Sequence, residues 1–409
     1  MFVLGVTGVS WIYILNDPDL LPLVAQRVFS GMFSYPLLAV PFFVLAGELM
    51  NAAGIIHRIV NLSNLLVGKL PGSLAQVNIV SSIFFAGISG SAVADTAAIG
   101  SLLIPAMEKS GYDLDFSAAI TAASSVIGPI IPPSIIMVIY AYSAGVSVGG
   151  LFAAGFMPGI LIGIGLMAVS YIISVKRNYG TKLPRISKSY ITKTIKESII
   201  ALIMPLLILG GILSGVFTAT EASAIAVGYA FFVGVFVLKT LKLANLPRLL
   251  LKTSLTTSIV LLIIGTASIL SWVIASEGIP KLLTQFLMNI SENPYIIIFM
   301  LNIFLLIVGM FMDTSAAIII MAPIFAPFAT NLGFHPLHFG IIMVTNLVIG
   351  LATPPVGLCI FVASDITKLS IEDISKAIYP FIIVEIVVLF IITYFPSIPM
   401  LIPKLLGYY

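Results

Sequence analysis

Two aspartates interrupt long apolar sequence, Asp95 within "AGISGSAVADT" (86–96) and Asp313 within "GMFMDTSA". Each has glycine upstream, hydroxyl residues beside it and threonine after it, so the chemistry on offer is that of oxygen atoms and free backbone groups. Two uses fit. Asp95-Thr96 and Asp313-Thr314-Ser315 can cap the free amides of a helix start. Alternatively, helix N-termini aimed at a carboxylate, with unwound carbonyls facing a hard cation, make a site for an anion and its counter-ions. Two further breaks, "VIGPIIPPS" and "VIGLATPPVG", carry paired prolines, which remove amide donors and stop a helix from continuing. All five arginines and all three histidines lie outside these four stretches, which leaves the site no fixed side-chain cation. An anionic substrate there would be balanced by helix ends and co-bound cations, an argument for cation symport. Sodium suits oxygen ligands, and the two carboxylates keep a proton as the alternative.

The elements that position these breaks must be transmembrane helices. The chain has 409 residues, 60% hydrophobic and only 9% charged, with a mean hydropathy of +1.18, a balance that excludes a soluble domain. Apolar runs at 151–175, 198–214, 218–238, 254–275 and 376–395 approach or exceed the roughly 20 residues needed to cross a bilayer core. The opening "MFVLGVTGVSWIYIL" has no basic n-region or cleavage site and reads as part of an uncleaved helix. The single cysteine, Cys359, excludes an internal disulfide and reads as packing. A net charge of +3 is no argument for any partner, nucleic acid included.

The basic residues mark sidedness instead. "VKRNYGTKLPRISKSYITKTIKES" carries Lys176, Arg177, Lys182, Arg185, Lys188, Lys193 and Lys196 against Glu197, so this loop is expected in the cytoplasm. Lys239, Lys242, Arg248 and Lys252 follow a helix pair broken at "LSGVFTATEAS" and share that side. Both basic loops read as solvated, with anionic lipid as the lesser alternative.

The sequence also repeats itself. "VADTAAIGSLLIPAMEKSGY" resembles "FMDTSAAIIIMAPIFAPFATNLGF", pairing Asp95 with Asp313, Pro105 with Pro323 and Gly111-Tyr112 with Gly333-Phe334. Gly128, Pro132 and Pro133 match Gly350, Pro354 and Pro355, each pair 222 apart, whereas the two aspartates are 218 apart, which implies four extra residues in the second copy. Upstream, "AGELMNAAGIIHRI" and "ILSWVIASEGIPKLL" correspond more loosely. Tracing sidedness from the basic loops puts "EKSGYDLD" inside and its counterpart "NLGFHPLHF" outside, the mark of an inverted repeat. Segment 76–107, interrupted at Gly87, Ser89, Gly90 and Ser91, then reads as a re-entrant hairpin, and 295–327 as its mirror image. The four breaks converge at mid-membrane as two quasi-symmetric ion sites flanking one substrate site, with the aspartates as equivalent partners.

"RVFSGMFSYPLLAVPFFVLAGELMNAAGI", "FFAGISGSAVADTAAIGSLLIPAM", "GPIIPPSI", "GMFMDTSAAI" and "GLATPPVGLCIFVAS" together resemble the large membrane subunit of tripartite ATP-independent periplasmic (TRAP) transporters, over nearly the whole chain. The resemblance implies an all-α polytopic protein of the bacterial cytoplasmic (inner) membrane, an inverted structural repeat with two re-entrant hairpins and two broken helices, working as an elevator. It implies sodium-coupled import of an organic acid, of the sialic acid or four-carbon dicarboxylate class, with two or more Na+. The partners implied are a small four-helix membrane subunit and a periplasmic substrate-binding protein. The domains would be scaffold and first arm at 1–75, first hairpin and broken helix at 76–147, scaffold and basic loops at 148–253, second arm at 254–294, second hairpin and broken helix at 295–375, and a C-terminal helix at 376–409.

Carried over by position, the sodium ligands would come from Gly87, Ser89 and Asp95 with Gly128 and Pro129, and from Gly309 and Asp313 with Gly350 and Thr353. Substrate would contact Ser89, Gly90, Ser91, Ser124 and Ser134 from one copy and Thr314, Ser315, Thr345 and Asn346 from the other. A stand-alone sodium/divalent-anion symporter would share these features without the partners. An intramembrane serine protease, suggested by "GISGSA", lacks a histidine at comparable depth: His57 reads as solvated or interfacial, and His335 and His338 fall in an external turn. Nothing in the four breaks suggests the ring of equal sites a channel uses.

The inverted topology has a direct test. With Cys359 changed to serine, cysteines placed at Lys109 and Asn331 are expected to react with a membrane-impermeant thiol reagent from opposite sides, position 331 on intact spheroplasts and position 109 only after permeabilisation. Labelling of both from one side would refute the inversion.

Overall fold

The computed structural model describes residues 2–14, 21–180 and 188–408, so Lys182 and Arg185 of the basic loop lie outside the described residues. Every regular element described is a helix. In chain order they are α1 (Phe2–Ile14), α2 (Leu21–Met32), α3 (Ala39–Ala52), α4 (Ile55–Val67), α5 (Ser73–Ser89), α6 (Ala92–Lys109), α7 (Leu114–Ser125), α8 (Ile135–Ala144), α9 (Val148–Lys176) and α10 (Lys188–Leu213). There follow α11 (Ala219–Phe232), α12 (Leu246–Ser276), α13 (Ile279–Ile290), α14 (Pro294–Phe311), α15 (Thr314–Asn331), α16 (Pro336–Gly350), α17 (Leu358–Thr367), α18 (Ile371–Tyr394) and α19 (Leu401–Leu405). Among the described residues, eight helical segments are long and apolar enough to cross a membrane. The apolar runs read from the sequence fall on α9, α10, α11, α12 and α18.

Side-chain oxygens start many of these helices. Ser134, Ser147, Asn293, Asp313 and Ser370 each accept a backbone amide at a first turn, and Thr218 with Glu221 forms a reciprocal capping box. Prolines inside α6, α9, α10, α15 and α18 leave those helices continuous, as is tolerated where neighbouring helices enclose the freed backbone.

The duplication is visible in the helix ends, with one correction. Helix α6 spans 92–109 and α15 spans 314–331, and α7 begins at 114 where α16 begins at 336, so these three boundaries are each 222 apart. The turns between them use Gly111 at φ 83° and Gly333 at φ 90°, a left-handed geometry natural to glycine. The second copy therefore contains no four-residue insertion. Asp313 stands where Ser91 stands, both as N-caps, while Asp95 matches Ala317 and Pro105 matches Pro327. Four residues are about one helical turn, so pairing the two Asp-Thr steps slipped the copies by a turn while keeping the same helix face.

Packing exchanges parts between the copies. Helix α6 lies on α7 of its own copy and on α17 of the other, and α15 lies on α16 of its own copy and on α8 of the other. At the centre, every residue of α7 from Phe116 to Ser125 and of α16 from Leu337 to Gly350 is buried. Outside this block, α10 packs on α4 and α11, α11 on α3, and α12 on α1, α2, α3 and α15.

The closest approach in the second copy is between glycines. A Cβ added to Gly350 would sit 2.2 Å from the backbone carbon of Gly309. Gly350→Ala is expected to destabilise the purified protein by about 1–3 kcal/mol through overpacking. Gly210→Ala on α10, where an added Cβ meets nothing within 4 Å, should leave stability equal or slightly higher. Equal melting temperatures for the parent and Gly350→Ala would contradict this packing.

Candidate functional site

The first hairpin turns at Gly90, whose φ of 58° closes α5, and Ser91 then caps α6 by accepting the Ala94 amide at 3.4 Å. This tip lies against the first broken helix. A Cβ on Gly90 would meet the Pro133 carbonyl at 2.7 Å, and one on Gly128 would meet the Ser91 carbonyl at 3.4 Å. In the second copy Gly309 lies on Gly350 and on the Leu347 carbonyl, and Thr314 donates to that carbonyl at 3.4 Å. Each hairpin tip thus faces the break of its own copy, bringing Gly87, Ser89, Gly90 and Ser91 to the Gly128–Ser134 break and Gly309 and Thr314 to the Leu347–Gly350 end of α16. Ser134 accepts the Met137 amide as a cap, and Thr353 donates to the Ile349 carbonyl at 2.8 Å. Pro129 lies in the buried first break.

The two aspartates differ. Asp313 is exposed and its Oδ1 accepts the amides of Ser315 and Ala316 at 2.9 and 3.2 Å, so it is the cap of α15. Asp95 caps nothing. It is fully buried one turn into α6, and neither carboxylate oxygen has a hydrogen-bond partner. The hydroxyls of Ser82 and Ser125 lie beside it but are donated elsewhere, to Ser124 Oγ at 3.1 Å and to the Thr121 carbonyl at 2.7 Å. A carboxylate so placed in an apolar interior requires a proton or a cation. The two acids are not equivalent partners, because they sit at different positions of the repeat.

Other expected substrate contacts serve as internal tethers. Ser124 donates to Asn78 Oδ1 at 3.1 Å, and Asn346, 222 residues on, donates to Asn302 Oδ1 at 2.6 Å. Both are fully buried and fasten the first hairpin helix of each copy to its broken helix. Thr345 is buried with an unpartnered hydroxyl, and Ser315 is buried at the start of α15. Asn78 and Asn302 escaped the sequence reading, although a lone amide in an apolar helix is a signal for an interhelical bond.

Glu385 escaped it too. It lies at the middle of α18, fully buried, with both carboxylate oxygens unpartnered, and an acid inside a run of apolar residues was the available clue. Buried Cys359 has its thiol near the Thr96 hydroxyl, with Asp95 and Glu385 both close enough to act on it. His338 is not in the external turn but in the first turn of α16, buried, with its Nε2 2.8 Å from the Ile392 carbonyl, while His335 caps that helix. Among the described residues no cluster of three or more His, Cys, Asp and Glu could hold a transition metal.

Beside the first tip lies a cavity of about 510 Å³, walled by Ser89, Ser91 and Ala94 on one side and by Glu48 and Lys252 on the other. Lys252 Nζ is 2.7 Å from Glu48 Oε1. The neighbourhood of the first tip therefore does contain a side-chain cation, delivered by α12 from a distant part of the chain.

The chain matches the family model described as "Tripartite ATP-independent periplasmic transporter, DctM component" over residues 1–398. It belongs to this family. The permease is 40% identical over 396 residues to the sialic acid TRAP transporter large permease protein SiaM of Vibrio cholerae, covering 97% of this chain and 92% of that one. It is 39% identical over 404 residues to the C4-dicarboxylate TRAP transporter large permease protein DctM of Pseudomonas aeruginosa, covering 99% and 94%. Its fold is similar to the crystal structure of the Alcanivorax borkumensis YdaH transporter, with a TM-score of 0.63 at 14% identity, covering 96% of this chain and 90% of that one. It is accordingly a multi-pass inner-membrane permease, one component of a tripartite transporter, and not an enzyme.

The asymmetry of the acids generates opposite expectations. Asp313→Ala should lower stability by about 1 kcal/mol through loss of a cap, with transport retained. Asp95→Asn should leave stability equal or higher, because a buried lone carboxylate is removed, and should abolish cation-dependent transport. Equal effects of the two substitutions on uptake by the reconstituted protein would contradict the assignment.

Proposed function

We propose that this permease imports an organic anion in symport with sodium, receiving it from a periplasmic binding protein and working beside a small membrane subunit. The observation that carries the reading is that two hairpin tips meet two broken helices, one pair per copy, each meeting presenting backbone carbonyls and hydroxyls at the heart of an apolar block. Such unwound backbone suits a hard monovalent cation. In the first copy, orphaned Asp95, with Ser82 and Ser125 beside it, adds a formal negative charge for that cation to neutralise. The named substrates of SiaM and DctM, sialic acid and C4-dicarboxylate, are both organic anions, and this class extends to the permease as the substrate expectation.

Movement follows from the exchange of parts. Because α6 packs on α17 and α15 on α8, the hairpins and broken helices of both copies are interlocked and would move as one body. Helices α10, α11 and α12 supply the frame against which this body would slide as an elevator. Opposite entry of the two hairpins, as inferred from the basic loops, lets one tip serve each side of the membrane.

Sodium coupling is tested in proteoliposomes containing the permease, its small subunit and its binding protein, with N-acetylneuraminate and succinate as trial substrates. Uptake is expected only down a sodium gradient and only with the binding protein present. Equal uptake with potassium or choline outside, at fixed membrane potential, would overturn the coupling.

A further inference from the structure

We propose that Lys252 is the counter-charge for the carboxylate of the substrate on the cytoplasmic side of the first hairpin, and that Glu48 is the carboxylate that holds this lysine when the cavity is empty. The inference rests on the organic-anion reading above and adds to it a residue, a partner and an exchange step.

The geometry points to a site rather than to a surface ion pair. The cavity of about 510 Å³ is of the size that binds small organic molecules. One wall is the hairpin tip itself, with the hydroxyls of Ser89 and Ser91 and the small side chains of Ala94 and Ala97. The opposite wall comes from α3 and α12, which supply the amide of Asn51 and the hydroxyl of Thr256 beside Glu48 and Lys252. Apolar side chains such as Val44, Phe85 and Ile135 complete it, so a molecule with one anionic end, several hydrogen-bonding groups and a carbon skeleton matches its lining.

The ion pair is unequal. The Glu48 side chain is 19% exposed and that of Lys252 is 61% exposed, so the acid is set into the wall while the lysine that pairs with it is largely open to solvent. Lys252 also donates to Glu48 Oε2 at 2.9 Å, so both carboxylate oxygens are engaged. An ammonium with three donors, so widely exposed, can turn from one carboxylate to another at little expense, since exposed pairs are weak. An incoming substrate carboxylate exchanges with Glu48 for the lysine, and when the substrate leaves, Glu48 takes the lysine back. No bond is made or broken, and the site returns to its starting charge. Lys252 closes the basic stretch that begins at Lys239 and so lies on the side expected to face the cytoplasm. The pair therefore acts at release, drawing the anion off the hairpin tip and keeping the empty cavity neutral.

The local field is tested without any substrate. In the purified chain with Cys359→Ser and Ala94→Cys, the rates of modification by the anionic reagent sulfonatoethyl methanethiosulfonate and its cationic trimethylammonium analogue are compared. The ratio of anionic to cationic rate is expected to fall about fivefold in Lys252→Gln and to rise by a similar factor in Glu48→Gln, as removal of one charge a few ångströms away requires. A ratio unchanged within twofold in Lys252→Gln would overturn the proposal. In reconstituted complexes with N-acetylneuraminate or succinate inside, Lys252→Gln is expected to raise the half-saturating internal concentration for exchange about tenfold, with the maximal rate changed much less and Lys252→Arg restoring most of the loss. A fall in maximal rate alone, not rescued by arginine, would mark Lys252 as structural and overturn the assignment. If the reagent ratio shifts as expected while neither acid is exchanged by the parent protein, the organic-acid reading has failed, and with it this substrate assignment, even though the field is present.

Discussion

Backbone amides and carbonyls with no partner are intolerable in an apolar medium, and this chain interrupts its helices four times within long apolar sequence. The remedy is mutual burial of the interruptions. Gly90 lies on the Pro133 carbonyl and Gly128 on Ser91, so the first turn is covered by the break of a neighbouring helix; in the second copy Gly350 lies on Gly309, while the turn at Asp313 stays exposed. Close backbone approach of this kind demands glycine, which accounts for the residue type at these positions. The same contacts bring backbone carbonyls of Pro133 and Leu347 against the glycines of the hairpins.

Interlocking follows from that constraint. A hairpin cannot leave its broken helix without exposing both sets of backbone groups, and each hairpin also rests on the short helix of the other copy. The tethers strengthen this. Asn78 joins Ser124 and Thr121 in one copy, and Asn302 joins Asn346 and Thr393 in the other. Polar side chains buried in hydrocarbon hold their partners because water is not there to replace them. The block is thus held by a few directional bonds within a large apolar contact.

Similar frames carry dissimilar chemistry. The N-cap of α6 is a serine and that of α15 an aspartate, while the buried acid of the first copy has an alanine as its counterpart in the second. Two halves built on one backbone plan thus place their acids differently, buried within the helix in the first and exposed at its cap in the second. The remaining intramembrane charges follow the same economy of placement. Glu385 is enclosed beside α17, and the charge of Lys252 is balanced by that of Glu48.

Much was legible in the sequence. Length, composition and apolar runs gave a polytopic helical protein, and glycine, proline and hydroxyl clusters located all four breaks to within a few residues, because those residue types act locally on the backbone. The repeat was legible as well, through glycines and prolines held 222 apart. The register of the aspartates was not, since a shift of one helical turn leaves the helix face unchanged and only the helix boundaries show it. Which polar groups are satisfied was equally hidden. Asp313 and Asp95 look alike in sequence, yet one finds two amides and the other finds none, a difference set by how far each lies from its helix start and by what packs over it. The pairing of Lys252 with Glu48, 204 positions apart, and of Asn302 with Asn346 depends on helices brought together by tertiary packing, and no local pattern in the chain specifies those meetings.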